Sequence, residues 1–468
     1  MESEWIETTI GEQFDLVNGF AFKSEEFVER GIPVIKIKNV KAGFFSEHEF
    51  SYVTSEFIKS KSEKLARVDD LLISMSGNRH DGTPETWVGK VARFNKKDAY
   101  FINQRVGALR VKDLSEVHPR FASYVLASWY YQQLFISIAT SSGGQANLSP
   151  GQILGARFEY PPITEQRAIA HILGSLDDKI ELNRRMNETL EGMAQVLFKS
   201  WFVDFDLVVD NALVAGNSIP EELADRAEVR RAALANGTAN REAAKPFPAG
   251  FQQTEEMGWI PVGWEVSNVG KHVSLQRGTT YKSRLKGLPG PYLLGLGSIQ
   301  RNGGFKENSL KTYGGDCPPK MVLKPGDIFV SLKDITQAAD LLGSVARLPY
   351  HISSGRLTQD TVKLVFDGEP VSKDYIYNML LTERYRDHCR SRATGTTNLG
   401  LAREDFFGFP FAMPSVEIQI TYDRLVQSCN EKHQVNTAES ISLTHIRDTL
   451  LPKLISGELR IPDAEKLA

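Results

Sequence analysis

The chain is poor in cysteine, and its cysteines form no pattern. Cys317, Cys389 and Cys429 are odd in number, widely spaced and without a CxxC pair. That excludes a disulfide framework or a zinc site and predicts reduced thiols in a cytoplasmic protein. No apolar run approaches the ~18 residues of a membrane span. The opening MESEWIETTI lacks the basic and apolar regions of a secretory signal. A strong positive charge is missing too. The net charge is −3, which excludes a protein coated in base for nucleic acid. The average hides a segregation, because Asp204–Ile260 holds ten acids against five bases and the remainder carries +2. A local basic face is compatible with that remainder, and local charge is what phosphate binding needs.

Catalytic signatures are also absent. Gly82 to Lys90 has the wrong spacing for a phosphate-binding loop, and Val91 stands where Ser or Thr would hold magnesium. Gly295-Leu296-Gly297 lacks the third glycine of a dinucleotide fingerprint. Neither HExxH nor G-x-S-x-G occurs, nor an Asn-Pro-Pro-aromatic run of the amino-methyltransferase type. His388 and Cys389 are neighbours on a predicted helix and point apart, which excludes a dyad.

What the chain does have is a long helix. Pro161 and Pro162 bar helix before residues 163–205, with Thr164 as the expected N-cap. Ile169, Leu173, Leu176, Ile180, Leu190, Leu197 and Trp201 then recur at three-, four- and seven-residue steps or their multiples. About 40 residues at about 1.5 Å each make a rod of roughly 60 Å. Such a rod needs a second helix along its seam. Asn183 and Asn187, near seam positions, are expected to fix register, and His171 to pack at the interface. A long core helix of one large domain is the rival reading.

The rod separates two copies of one pattern. Trp264 takes the role of Trp5, and KPGDIFVSLKD echoes VDDLLISMSG. LLGSVARLP echoes WVGKVARFN, LTQDTVKLVF echoes INQRVGALRV with Gln104 against Gln359, and RATGTTNLGL echoes TSSGGQANLS with Asn147 against Asn398. The two tryptophans are 259 residues apart, and the other offsets stay within 251–257 residues. A second helical stretch, 415–457, has a weaker seam of Leu425, Cys429, Val435, Ile441, Leu443, Ile446, Leu450 and Leu454, ending at Gly457. A period this long means a duplicated domain. The predicted fold is α+β, with two domains of mixed β-sheet plus helices separated by two long antiparallel helices about a pseudo-twofold axis. Two similar, non-identical domains suit a two-part target, and DNA half-sites one helical turn (~34–36 Å) apart lie within reach.

The chain resembles the specificity subunit of type I restriction–modification enzymes. The residues that carry the likeness are PPITEQRAIAHILGSLDDKIELNRRMNETLEGMAQVLFKSWFVDF at 161–205, similar to the family's central conserved region, and LTHIRDTLLPKLISGELRI at 443–461, similar to its distal one. The resemblance implies target recognition domains at 1–160 and 258–413, a central helix at 161–209, an acidic linker or insertion at 210–257, and a distal helix with C-terminal tail at 414–468. It implies a non-catalytic reader of an asymmetric, bipartite DNA site with a fixed spacer. Two modification subunits would dock on the helices and methylate adenine, and restriction subunits would add translocation and cleavage. No cofactor is expected in this chain; S-adenosylmethionine, ATP and Mg are expected on the partners, and no membrane is involved. Two features depart from the simplest pattern. The Ala-rich acidic segment lies on a partner or is disordered in alternative readings. The second rod opens with Met413-Pro414-Ser415-Val416-Glu417-Ile418-Gln419, short of PPITEQ, which leaves its docking geometry less defined.

Arg, Lys, Asn, Gln and Ser beside glycine read base edges and grip phosphates. The DNA-contact candidates in the first domain are Asn18, Lys23, Ser76, Asn78, Arg79, Lys90, Gln104, Arg105, Gln145 and Asn147. In the second they are Arg277, Thr279, Tyr281, Lys282, Lys333, Arg356, Gln359, Thr396 and Asn398. Pro162, Glu165, Gln166, Phe198, Trp201 and Phe202 are the candidates for modification-subunit contact, the aromatics because they are expected to be exposed at a helix end. Core packing against the first domain is their rival role. Two other classes compete with the DNA reader: a nuclease or methyltransferase complete in one chain, and an assembly scaffold whose duplicated domains bind protein.

Overall fold

The computed structural model describes residues 5–47, 49–142, 144–307, 310–396 and 398–461; the C-terminal tail at 462–468 lies outside them. Two compact units result, one of residues 1–181 with 441–468 and one of residues 182–440.

The first unit is built on a four-stranded antiparallel sheet of β1 (Phe14–Asn18), β2 (Leu71–Ser74), β3 (Val91–Arg93) and β4 (Val106–Val111). Its spatial order is β1-β4-β2-β3. The run Leu71-Leu72-Ile73 is buried on both faces, which explains why it reads as continuous rather than alternating. Leu71, Ile73 and Leu109 face one core with helices α1 (Pro119–Leu126) and α2 (Trp129–Ile138). Leu72, Ala92 and Ala108 face a second core with Ile35, Phe94 and Tyr100. Strand Ile6–Thr9 pairs with Arg157–Tyr160 and brings the domain's two ends together.

The second unit repeats this plan. Strands β5 (Ser274–Arg277), β6 (Ile328–Ser331), β7 (Val345–Arg347) and β8 (Thr361–Val365) pair in the order β5-β8-β6-β7. Glu265–Asn268 closes on Pro410–Met413. The register makes the equivalence exact at residue level: Ser74 pairs with Val106 as Ser331 pairs with Thr361. Gly89 and Gly343, which follow these strands, both take positive φ (+80° and +72°). A Cβ there would collide with Phe135 and with Cys389 respectively, so glycine is required twice for the same close approach. One echo shifts. Ser76 pairs with Asn147 and Lys333 with Gly400, so Asn398 corresponds to Gln145 and not to Asn147.

The long helices are α3 (Ile163–Phe202) and α8 (Val416–Ile455). The Pro162 carbonyl accepts from Gln166 N at 3.1 Å, so α3 starts before Thr164, which lies inside the first turn and not at the cap. Gln166 is fully buried. Its Oε1 accepts from His118 N (2.9 Å), and its Nε2 donates to the carbonyls of Glu116 and Pro161 (both 2.8 Å). Gln419 does the same for α8, accepting from Ser372 N (3.0 Å) and donating to Pro414 O (3.0 Å). The second helix therefore has an equivalent seat without the full PPITEQ string.

The helices run antiparallel. In the first unit Asp177 pairs with Arg447 (2.9 Å) and Glu165 with Arg460 (3.2 Å). In the second, Asn183 Nδ2 donates to Asn436 O (3.3 Å) and Glu439 Oε2 (2.8 Å), and Asn436 Nδ2 donates to Asn187 Oδ1 (3.0 Å). The buried face of α8 is Ile418, Tyr422, Val426, Asn436 and Leu454. Leu425, Val435, Ile441 and Ile446 of the expected seam are exposed, and so is His171 on α3. Asn436 sits where an apolar seam was expected, which moved the apparent phase of the helix.

The acidic segment is a folded layer of the second unit. Helices α4 (Asp206–Ala215) and α5 (Ala224–Ala235) lie side by side. Asp206 and Asp210, four residues apart and buried, face Arg226 and Arg230, also four apart. The nearest atoms are 2.5 Å apart in both pairs. Asn211 Nδ2 ties the layer to the carbonyls of Ala244 and Phe247, both at 2.8 Å. Asp206, Asp210, Arg226 and Arg230, four of the charges that suggested a linker, are counter-ions within the layer.

Two predictions follow from these contacts. Gln166→Ala and Gln419→Ala should each lower the unfolding free energy by about 2 kcal/mol, because buried partners lose their bonds. Urea titrations with unchanged midpoints would contradict that role. Arg230→Ala leaves Asp210 uncompensated and should cost about 3–5 kcal/mol. Hydrogen exchange across 206–235 should then accelerate, and protection equal to wild type would show that the ion pair does not hold the layer.

Candidate nucleic-acid interface

In the first unit the loop ends of the sheet converge. The Arg105 guanidinium donates through Nη1 to Gln145 Oε1 (2.6 Å), and Ser76 Oγ donates to Asn147 Oδ1 (2.6 Å). Gln104 N donates to Phe20 O (2.9 Å), which brings Asn18 and Gly19 to the same edge. A Cβ on Gly19 would lie 2.0 Å from the Asn103 carbonyl oxygen, so this approach admits only glycine. Asn18, Gln104, Arg105 and Gln145 are exposed there. Lys64, whose Nζ donates to Asn18 O (3.1 Å), and Lys61, 4.9 Å from the Phe20 ring centroid, join them. Sequence reasoning missed both, although the run Lys59-Ser60-Lys61-Ser62-Glu63-Lys64 is a lysine signal without apolar period.

The second unit has the equivalent edge. Gly278 approaches the Thr358 carbonyl as Gly19 approaches Asn103. Arg277, Thr279, Lys282, Lys333, Gln359, Thr396 and Asn398 are exposed. Lys333 Nζ is 3.0 Å from Asp360 Oδ1, and the Thr396 carbonyl accepts from the Gln337 amide. Half-buried Tyr281 lies under Lys286 Nζ, 4.5 Å from the ring centroid.

A family described as the type I restriction modification DNA specificity domain matches residues 2–192. Residues 2–192 are similar to that domain. The chain is also similar to type I restriction enzyme specificity subunits. It is 27% identical over 390 residues to the HindI specificity subunit of Haemophilus influenzae, covering 78% of this chain and 82% of that one. It is 24% identical over 332 residues to the MjaIX specificity subunit of Methanocaldococcus jannaschii, covering 69% and 65%. The crystal structure of a type I restriction–modification S subunit from M. genitalium shares the fold with a TM-score of 0.52 at 16% identity, covering 97% of this chain and 96% of that one.

Several of the expected contacts have other duties. Arg356 is buried (3% exposed) and its donors are taken by the carbonyls of Asp316, Leu357 and Thr280 and by Thr279 Oγ1. Ser76 is buried by its pairing with Asn147. Half-buried Asn78 and Arg79 hold the 78–87 loop, Asn78 to Thr86 Oγ1 (3.1 Å) and Arg79 to the Ala139 carbonyl. Lys23 stands beside Glu25 (3.8 Å), and its backbone N–H donates to Glu26.

The helix candidates also sit differently. Pro162 is exposed, Glu165 faces Arg460, and Gln166 is the buried seat of α3. Phe198, Trp201 and Phe202 are buried in the second unit's core, against Tyr375, Tyr422 and Phe247. The exposure on which their docking role rested is absent, because the helix end carries a whole domain that needs an aromatic floor. Their core packing is with the second domain, not the first. Among the described residues no group of three or more His, Cys, Asp or Glu could hold a metal ion, and no helix is long and apolar enough to cross a membrane.

Lys90 is 4% exposed, and its ammonium donates to the Glu85 carbonyl. Burial, reinforced by nearby Lys41, pushes its pKa down to about 8. The folded chain therefore releases this proton before the unfolded chain does, from about 8 up to the ordinary 10.5. Stability should rise with pH across that window, and below it the desolvation cost is fully present. Lys90→Met should stabilise the protein by about 1–2 kcal/mol at neutral pH and remove the rise. Melting curves at pH 7 and near pH 9.5 compare the two; a wild-type curve with no such rise would contradict the buried ammonium.

Proposed function

We propose that this chain is the non-catalytic, DNA-reading specificity subunit of a type I restriction–modification complex. The observation that carries the reading is the register-matched pair of loop edges, one per unit, each exposing Arg, Lys, Asn and Gln around a glycine that no other residue can replace. The family match over residues 2–192 supports it for the first edge. Each edge reads one half of an asymmetric bipartite site. The long helices hold the spacer constant and dock two modification subunits. Those partners supply S-adenosylmethionine and methylate adenine; restriction subunits supply the ATP- and Mg-dependent steps. The complex works in the cytoplasm.

The test is single-base mapping of host DNA methylation with and without the chain, the modification partner being present in both strains. Adenine marks at one two-part motif should depend on the chain. Exchanging residues 1–160 for those of another specificity subunit should change one half of the motif only. Identical methylation in both strains would remove the specificity role and favour a scaffold.

A further inference from the structure

At one pair of equivalent backbone positions the two edges carry opposite hydrogen-bonding chemistry. Arg105 directly precedes Val106, the partner of Ser74; Asp360 directly precedes Thr361, the partner of Ser331. The same registers equate Ser76 with Lys333, Asn147 with Gly400 and Gln145 with Asn398. The first edge thus exposes Arg105 and Gln145 where the second has Asp360 and Asn398, and buried Ser76 gives way to exposed Lys333.

In the first edge Arg105 donates to the Gln145 side-chain carbonyl oxygen, and the Gln145 NH2 and the remaining guanidinium N–H groups of these exposed residues have no hydrogen bond among the described residues. That edge is rich in donors and complements acceptor atoms such as guanine O6 and N7. In the second edge Asp360 Oδ1 accepts from Lys333, and Oδ2 has no further hydrogen bond among the described residues. Both side chains are reachable, with 29% of Asp360 and 47% of Lys333 exposed. A carboxylate is an acceptor only, and the phosphates repel it. The groups on duplex DNA that reward it are the exocyclic amines of the bases, cytosine N4 and adenine N6. Lys333 beside it offsets the repulsion from the backbone.

Building on the specificity-subunit reading, we propose that Asp360 determines specificity in the second half-site, where it accepts a hydrogen bond from the exocyclic amine of one base while Lys333 holds the carboxylate in place. Arg105, at the equivalent position, reads an acceptor edge in the first half-site.

The experiment expresses wild type, Asp360→Ala, Asp360→Asn and Arg105→Ala with the modification partner and maps methylation at single-base resolution. Asp360→Ala should leave the first half and the spacing unchanged. One second-half base pair should become degenerate, with preference falling about tenfold. Whether that pair is G·C or A·T tells the cytosine and adenine amines apart. Arg105→Ala should relax a first-half position only. Melting curves check folding, and Asp360→Asn, which keeps the shape and removes the charge, replaces Asp360→Ala if the latter does not fold. In the Asp360 variants an unchanged motif, relaxation in the first half, or a uniform loss of methylation without altered preference each overturns the proposal. If wild type itself directs no motif, the specificity-subunit reading falls, which is a separate outcome.

Discussion

Each long helix is seated by a buried glutamine amide one turn from its start. Gln166 joins α3 to the segment that leads into α1, and Gln419 joins α8 to the segment before α6 (Lys373–Met379). Helix starts leave backbone donors and acceptors without intrahelical partners, and a planar amide with three bonds to two segments fixes a direction as well as a place. Within the second unit Gln419 sets the direction of α8, and Asn183, Asn187 and Asn436 meet across the helix pair. These polar contacts in the middle of the seam add little net energy, but misplacing them would bury unsatisfied amides, which makes other registers costly.

The duplication separates what the backbone requires from what the target requires. Positions that hold the chain in shape repeat in kind: Gly19 with Gly278, Gly89 with Gly343, Ser74 with Ser331, Gln166 with Gln419. On the exposed edges Gln104 repeats as Gln359, but Arg105 against Asp360 reverses the charge. A shared scaffold under divergent edges is the arrangement a reader of two unlike half-sites needs. A protein scaffold would not require donors and acceptors to alternate in this way at matched registers.

The second unit shows how charge and aromaticity mislead when burial is unknown. Five acids in excess across Asp204–Ile260 suggested a solvated linker. The i, i+4 spacing of Asp206 and Asp210, matched by Arg226 and Arg230, was present in the same residues and signals two helices paired by ion bridges. Phe198, Trp201 and Phe202 suggested an interface, and they are one, but within the chain: they form the floor on which the second domain rests.

The sequence alone determined the long helices, the duplication, the strand pattern and the family likeness, because periodicity, Pro-Pro stops and glycine turns are properties of neighbouring residues. It also placed most of the exposed edge residues, since turn chemistry puts polar side chains beside glycine. Only the tertiary structure decided that Lys90, Arg356 and Ser76 turn inward, that Lys61 and Lys64 reach the edge, and that Asn398 corresponds to Gln145. Those facts depend on which segments, distant in sequence, lie beside one another. A lysine or arginine looks the same in a string of letters whether its partner is water, phosphate or a buried carbonyl.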